Sequence, residues 1–98
     1  MILKERAVVW AQVGDKQRRC VVLRVDGETV IVVGGRSEPR GPFVEITDAT
    51  VALMGLDHPT YFCAPVSRVN VSKLELTPHV CPEEFYIRIR ELLGFRPH

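Results

Sequence analysis

Apolar and polar residues alternate along the first third of the chain with the two-residue period of β-strands. Ala7 to Val13 is valine-rich with Trp10 in its middle, the composition of a strand, and Gly14-Asp15-Lys16-Gln17 follows as a polar turn. Arg18 to Val25 then alternates cleanly. Arg19, Val21, Leu23 and Val25 fall on one side, expected to face the core, and Arg18, Cys20, Val22 and Arg24 fall on the other. Asp26-Gly27 is a strong hairpin signal, because a two-residue type I′ turn needs positive φ at both central positions. It predicts Glu28 to Val33 as the partner strand. The register then sets Leu23 opposite Val30, Val21 opposite Val32, Arg19 opposite Gly34 and Arg18 opposite Gly35.

Gly34 to Pro42 is rich in glycine and proline and too short for a domain linker, so it reads as a loop. Phe43 to Ile46, Thr50 to Leu53, Thr60 to Ala64 and Val69 to Val71 look like short strands separated by Thr47-Asp48, Gly55 to Pro59 and Pro65. Pro82-Glu83-Glu84 opens a helix that runs through Leu93. Proline suits the first turn, the two glutamates complement the helix dipole, and Gly94 marks the stop. Phe85, Ile89, Leu92 and Leu93 form its apolar stripe, while Glu84, Arg88 and Glu91 lie on an exposed side. Many short strands, 15 valines and one terminal helix predict a mainly β fold, a small SH3-like antiparallel barrel with a C-terminal helix. A parallel sheet would need helical crossovers, and nothing before residue 82 offers one. The expectation is one barrel domain over residues 1–98, with strands over about 6–71 and the helix over about 82–93.

Charge changes this picture only locally. The 98 residues carry 13 basic and 12 acidic side chains, so there is no general basic field to hold nucleic acid nonspecifically. From Gly14 to Arg24, however, Lys16, Arg18, Arg19 and Arg24 face only Asp15. The predicted register brings Arg18 and Arg19 to the start of Gly34-Gly35-Arg36-Ser37. Three guanidinium groups and two unshielded backbone amides would then converge on one corner, a combination suited to a phosphate or another oxyanion. A solvated hairpin end accounts for the same residues without any ligand.

Other chemistry finds little support. Cys20, Cys63 and Cys81 are odd in number and widely spaced, which argues for reduced thiols. His58 with Cys63, and His79 with Cys81, lack the paired spacing of a zinc site, so no metal and no cofactor is expected. No nucleophile-elbow, P-loop or zincin motif is present. Trp10, Tyr61 and Phe62 could stack RNA bases, but aromatics on strands are more often core. Glu83 and Glu84 are explained by their place in the first turn of a helix. No apolar run approaches the length of a membrane span, and the first residues lack a signal-peptide stretch, so the chain is expected to be soluble and cytoplasmic.

The order of these segments resembles the PemK/MazF family, the toxin half of bacterial type II toxin–antitoxin pairs. The likeness runs through Val8-Val9-Trp10-Ala11-Gln12-Val13, through Gln17-Arg18-Arg19 leading into Cys20-Val21-Val22-Leu23, and through Val30-Ile31-Val32-Val33. It continues with Val51-Ala52-Leu53, with Gly55-Leu56-Asp57-His58-Pro59-Thr60-Tyr61-Phe62, with Val69-Asn70-Val71-Ser72-Lys73-Leu74 and with Pro82-Glu83-Glu84-Phe85. The resemblance implies a homodimeric barrel that cleaves single-stranded RNA without a metal, using the RNA's own 2′-hydroxyl as nucleophile and leaving a 2′,3′-cyclic phosphate. It also implies a small acidic antitoxin protein as partner.

Carried over residue by residue, the resemblance gives Arg19 the part of the family's arginine at the entry to the second strand, stabilising charge on the phosphate. Ser37 is the nearest hydroxyl to the place where the family commonly has threonine or serine and this chain has Gly34 and Gly35. Arg18, Gly34, Gly35, Arg36 and Arg40 are the remaining phosphate-binding candidates. Cys20 stands where the family commonly has proline. The alternative is a noncatalytic barrel that binds a protein or peptide through a sheet edge or groove. A basic concave face around Arg19 and Arg36 would favour the nuclease, and an apolar groove would favour the module.

Overall fold

A computed structural model describes residues 3–95. Six strands form one antiparallel sheet: β1 (Ala7–Val13), β2 (Lys16–Asp26), β3 (Thr29–Arg36), β4 (Val44–Ile46), β5 (Thr60–Asn70) and β6 (Glu75–Val80). Their order across the sheet is β4-β5-β3-β2-β1-β6. A short helix α1 (Ala49–Leu53) and a longer one α2 (Glu83–Leu93) complete the fold. The sheet curls into a half-barrel, which is the mainly β architecture with a C-terminal helix expected from the sequence.

Both faces of the sheet are buried along β1, β2 and β3, which corrects the expectation of a single core-facing set on β2. Val21 and Leu23 join Val8, Ile31, Val33 and Phe62 in one cluster that α2 covers with Tyr86 and Ile89. Cys20 and Val22 join Val9, Ala11, Val30 and Val32 in a second cluster on the other side. Consecutive β2 residues are therefore both internal, as a sheet curled around one face and covered by a helix on the other requires. Val25, assigned to the core by alternation, lies near the hairpin tip and is 40% exposed.

The hairpin between β2 and β3 is placed differently from the prediction. Asp26 pairs with Thr29, so Gly27 and Glu28 are the central turn residues. Only Gly27 has positive φ, at 64°, the arrangement of a II′ turn rather than I′. Val25 therefore faces Val30. A bulge between Val22 and Arg24 then takes back one of the two residues of slip, and Cys20 rather than Arg19 stands opposite Gly34. The first turn is also shorter than expected, with Val13 facing Lys16 across Gly14-Asp15.

Three further elements depart from expectation. Thr50 to Leu53 is helical: Met54 is buried and Val51 packs on the core three residues earlier, whereas Leu53, which a strand would have turned inward beside Val51, is 62% exposed. The two strands expected on either side of Pro65 are one continuous β5. Its pairing with β3 jumps from Val66 opposite Val33 to Phe62 opposite Gly35, so Pro65 falls in an irregularity where no ladder N–H is required. β6 carries Pro78 and was not visible as a strand; it lies at the sheet edge, paired only with β1, where proline is tolerated. Helix α2 begins after Pro82 and ends at Gly94, whose φ of 65° closes it with N–H bonds to Arg90 and Glu91 carbonyls. Its inward stripe includes Tyr86, whose hydroxyl donates to the Leu23 carbonyl.

Candidate functional site

At one end of the half-barrel, four segments enclose a cavity of about 340 Å³. Trp10 comes from β1, Gln17, Arg18 and Arg19 from the start of β2, and Gly35, Arg36 and Ser37 from the end of β3. Leu56, Asp57, His58 and Thr60 come from the approach to β5. The wall carries three guanidinium groups against one carboxylate. The concavity is basic in charge, and the apolar side chains of Trp10 and Leu56 share its lining.

Trp10 and Arg19 are cross-strand partners, and the Arg19 guanidinium carbon lies 4.1 Å from the centre of the Trp10 ring. An aromatic face attracts a cation but accepts few of its N–H bonds. Accordingly Nε and Nη1 of Arg19 are buried without a hydrogen-bond partner among the described residues. Arg18 reaches across the sheet, and its Nη1 donates to the Gly35 carbonyl oxygen at 3.2 Å. Its Nε is likewise buried and unpaired. Buried donors left unmade cost about 1–3 kcal/mol each, more when charged.

Close packing requires glycine at position 35 and leaves little room at position 34. A Cβ at Gly34 would lie 3.3 Å from Cδ of Arg18, and one at Gly35 would lie 2.5 Å from Cγ2 of Thr60 and 3.2 Å from the Arg19 carbonyl oxygen. Gly34 itself is buried, opposite Cys20, and does not line the cavity, whereas Gly35 is half-buried and does. Arg36 and Ser37 lie on the cavity wall; Arg40 is exposed and lies outside it. The structure thus brings together Arg18, Arg19, Gly35, Arg36 and Ser37, leaving Gly34 beneath them and Arg40 apart.

The approach to β5 contributes residues that the sequence did not mark as part of this site. His58 and Asp57 are hydrogen-bonded through Nδ1 and Oδ1, with side chains 56% and 87% exposed. This bond holds the Asp57 carboxyl below the usual carboxylate range, helped more weakly by Arg19. Thr60, buried, donates from Oγ1 to the His58 carbonyl and so ties the turn to the sheet. Trp10 could have been placed here from sequence by a two-residue Gly14-Asp15 turn, which sets it opposite Arg19. Asp57 and His58 carry no such local signal, because a 19-residue excursion from Gly41 to Pro59 returns them to β2.

The thiols are not part of this chemistry. All three cysteines are free and buried. Burial pushes the Cys20 thiol up to about 12, partly offset by Arg18, and burial likewise pushes Cys81 up to about 12. Among the described residues, no three His, Cys, Asp or Glu side chains gather to hold a metal ion. No helix among them is long and apolar enough to cross a membrane.

The fold and site define a small curled β-sheet protein with an arginine-walled cavity at one end of the sheet. No protein-family model and no curated protein matches the chain. Among solved structures it is similar to a chain of the crystal structure of MazE–MazF (form II) from Deinococcus radiodurans. The TM-score is 0.72, with 13% sequence identity over 96% of this chain and 93% of that chain. At this identity the likeness is one of fold, and the fold matches MazF.

Proposed function

We propose that the protein is a toxin-like endoribonuclease that cleaves single-stranded RNA at the arginine cavity by attack of the RNA's 2′-hydroxyl. The observation that carries this reading is the convergence of the Arg18, Arg19 and Arg36 guanidinium groups on one open cavity, with that of Arg19 stacked on Trp10. Such donors, fixed before substrate arrives, stabilise a phosphorane whose equatorial oxygens gain charge as the 2′-oxygen attacks. The nucleophile belongs to the substrate, so the protein needs only to position the strand, supply donors and move protons. Arg19 is the charge-stabilising residue, Ser37 a second donor, and Arg18, Gly35 and Arg36 bind phosphate. Gly34 acts beneath them by letting Arg18 lie close, and Arg40 meets the RNA backbone farther along.

The MazF-like fold supports the same reading, and the neighbouring structure, a MazE–MazF complex, supports a protein antitoxin as partner. That partner is proposed to be small and acidic, covering the basic corner, and the toxin to be a cytoplasmic homodimer. The cavity's three guanidiniums favour this over a peptide-binding module, which would present an apolar groove.

The test is incubation of the purified chain with single-stranded RNA in EDTA. Wild type is expected to cleave and Arg19→Ala to be inactive while still folded by circular dichroism. Undiminished cleavage by Arg19→Ala would overturn the assignment.

A further inference from the structure

We infer that His58 is the general base of this cavity, held in the required tautomer by Asp57. The inference rests on the ribonuclease reading and supplies what Arg18, Arg19 and Arg36 cannot, since guanidinium groups donate but do not accept protons at neutral pH.

Among the described histidines only His58 lines the cavity; the ring of His79 packs instead where a Cβ on Gly55 would fall. The Asp57 carboxylate only accepts, so in the neutral ring the hydrogen bond between them puts the proton on Nδ1 and the lone pair on Nε2. No hydrogen bond among the described residues engages Nε2. Nε2 is thus the ring nitrogen left to take a proton, on a side chain half-exposed at a cavity open to solvent. Its backbone is anchored from the other side by the bond from buried Thr60. Arg18, Arg19 and Arg36 are the charged groups that share the cavity from β2 and β3, and Arg19 is near enough to Asp57 to act on its carboxyl.

In the step, Nε2 takes the 2′-hydroxyl proton as the 2′-oxygen forms its bond to phosphorus. The bond from phosphorus to the 5′-oxygen breaks, and water at the cavity mouth protonates the departing oxygen. The imidazolium gives its proton to the hydroxide so formed. The products are a 2′,3′-cyclic phosphate and a 5′-hydroxyl, with no water, proton or electron consumed overall.

Single-turnover cleavage of a single-stranded RNA in EDTA, comparing wild type, Arg19→Ala, His58→Ala and His58→Gln, tests this. Both His58 variants are expected to lose about 10²–10⁴-fold in kcat with little change in KM, the usual worth of a positioned base. Free imidazole is expected to restore part of the rate to His58→Ala and none to Arg19→Ala. Cleavage by His58→Ala at the wild-type rate, with Arg19→Ala inactive, would overturn the base and leave the nuclease standing. A loss confined to KM, or one imidazole does not rescue, would make His58 a binding residue and also overturn it. If wild type leaves RNA intact, the reaction itself is absent and this assignment goes with it.

Discussion

The guanidinium carbon of Arg19 lies 4.1 Å from the centre of the Trp10 ring, its partner across the β1–β2 ladder. The contact follows from register: the Gly14-Asp15 turn sets Trp10 against Arg19, and the ring blocks one side of the guanidinium from water. A desolvated cation–π pair contributes about 2 kcal/mol, against about 0.5–1 at exposed sites. Stacking here also keeps Nε and Nη1 free of protein partners. Trp10 is in this sense the positioning residue for the proposed phosphate-binding arginine.

Because Trp10 is the only tryptophan, its fluorescence reports directly on the cavity. Titration with a single-stranded DNA oligonucleotide, which lacks the 2′-hydroxyl, should change the emission without cleavage, and the affinity should fall as salt rises. Arg19→Ala should remove most of the response. Salt-independent binding would contradict a phosphate-binding cavity.

Gly35→Ala should destabilise the fold by about 1–3 kcal/mol, the usual cost of overpacking. The new methyl would sit 2.5 Å from Cγ2 of Thr60. Thr60→Ser removes that methyl and keeps a hydroxyl for the His58 carbonyl, so the double variant should recover part of the loss in urea unfolding. Purely additive effects would show that the two sites are not in contact.

Alkaline pH should destabilise the protein. Cys20 and Cys81 have folded pKa values raised from 9.0 to about 12, and Tyr86 from 10.0 to about 12, in each case chiefly by burial. The folded chain therefore keeps protons that the unfolded chain loses. Their contribution is fully present below pH 9 and is lost as pH rises from 9 toward 12. For Cys20 the slope approaches about 1.4 kcal/mol per pH unit. Urea unfolding between pH 8.5 and 11.5 should show the decline, and Cys20→Ala should make it shallower. Cys20 should also react with Ellman's reagent only on unfolding.

Arg68 provides a control for charge alone. It bonds Asp26 Oδ2 at 3.3 Å and Thr29 Oγ1 at 3.0 Å on the exposed hairpin. Arg68→Ala should change stability by no more than about 1 kcal/mol and leave RNA cleavage at the wild-type rate. A loss comparable to that of Arg19→Ala would mean that basic charge in general, and not the cavity, governs activity.

Where a local signal was unopposed, the sequence carried the fold. Pro82, the glutamate pair and Gly94 bounded α2, and valine alternation located β1, β2 and β3. Where tertiary structure overrode local pattern, expectation failed. Pro78 hid β6 because an edge strand can omit an N–H, and Pro65 split β5 because the pairing irregularity opposite β3 cannot be read from one strand. The site shows the same division. The turn at Gly27-Glu28 moved the hairpin by two residues, yet the Val22/Arg24 bulge returned one, so the glycine doublet was displaced by only one position. That is why Arg18 and Arg19 still reach Gly35, while Gly34 is buried. Asp57 and His58 lay beyond reach because their place depends on how a long connection returns to β2.

Identification of the ends left on cleaved RNA tests the central claim most directly. Wild type in EDTA should yield fragments ending in 2′,3′-cyclic phosphate and beginning with 5′-hydroxyl, and Arg19→Ala should yield none. Fragments with 3′-hydroxyl and 5′-phosphate ends, or equal cleavage by the arginine variant, would contradict it.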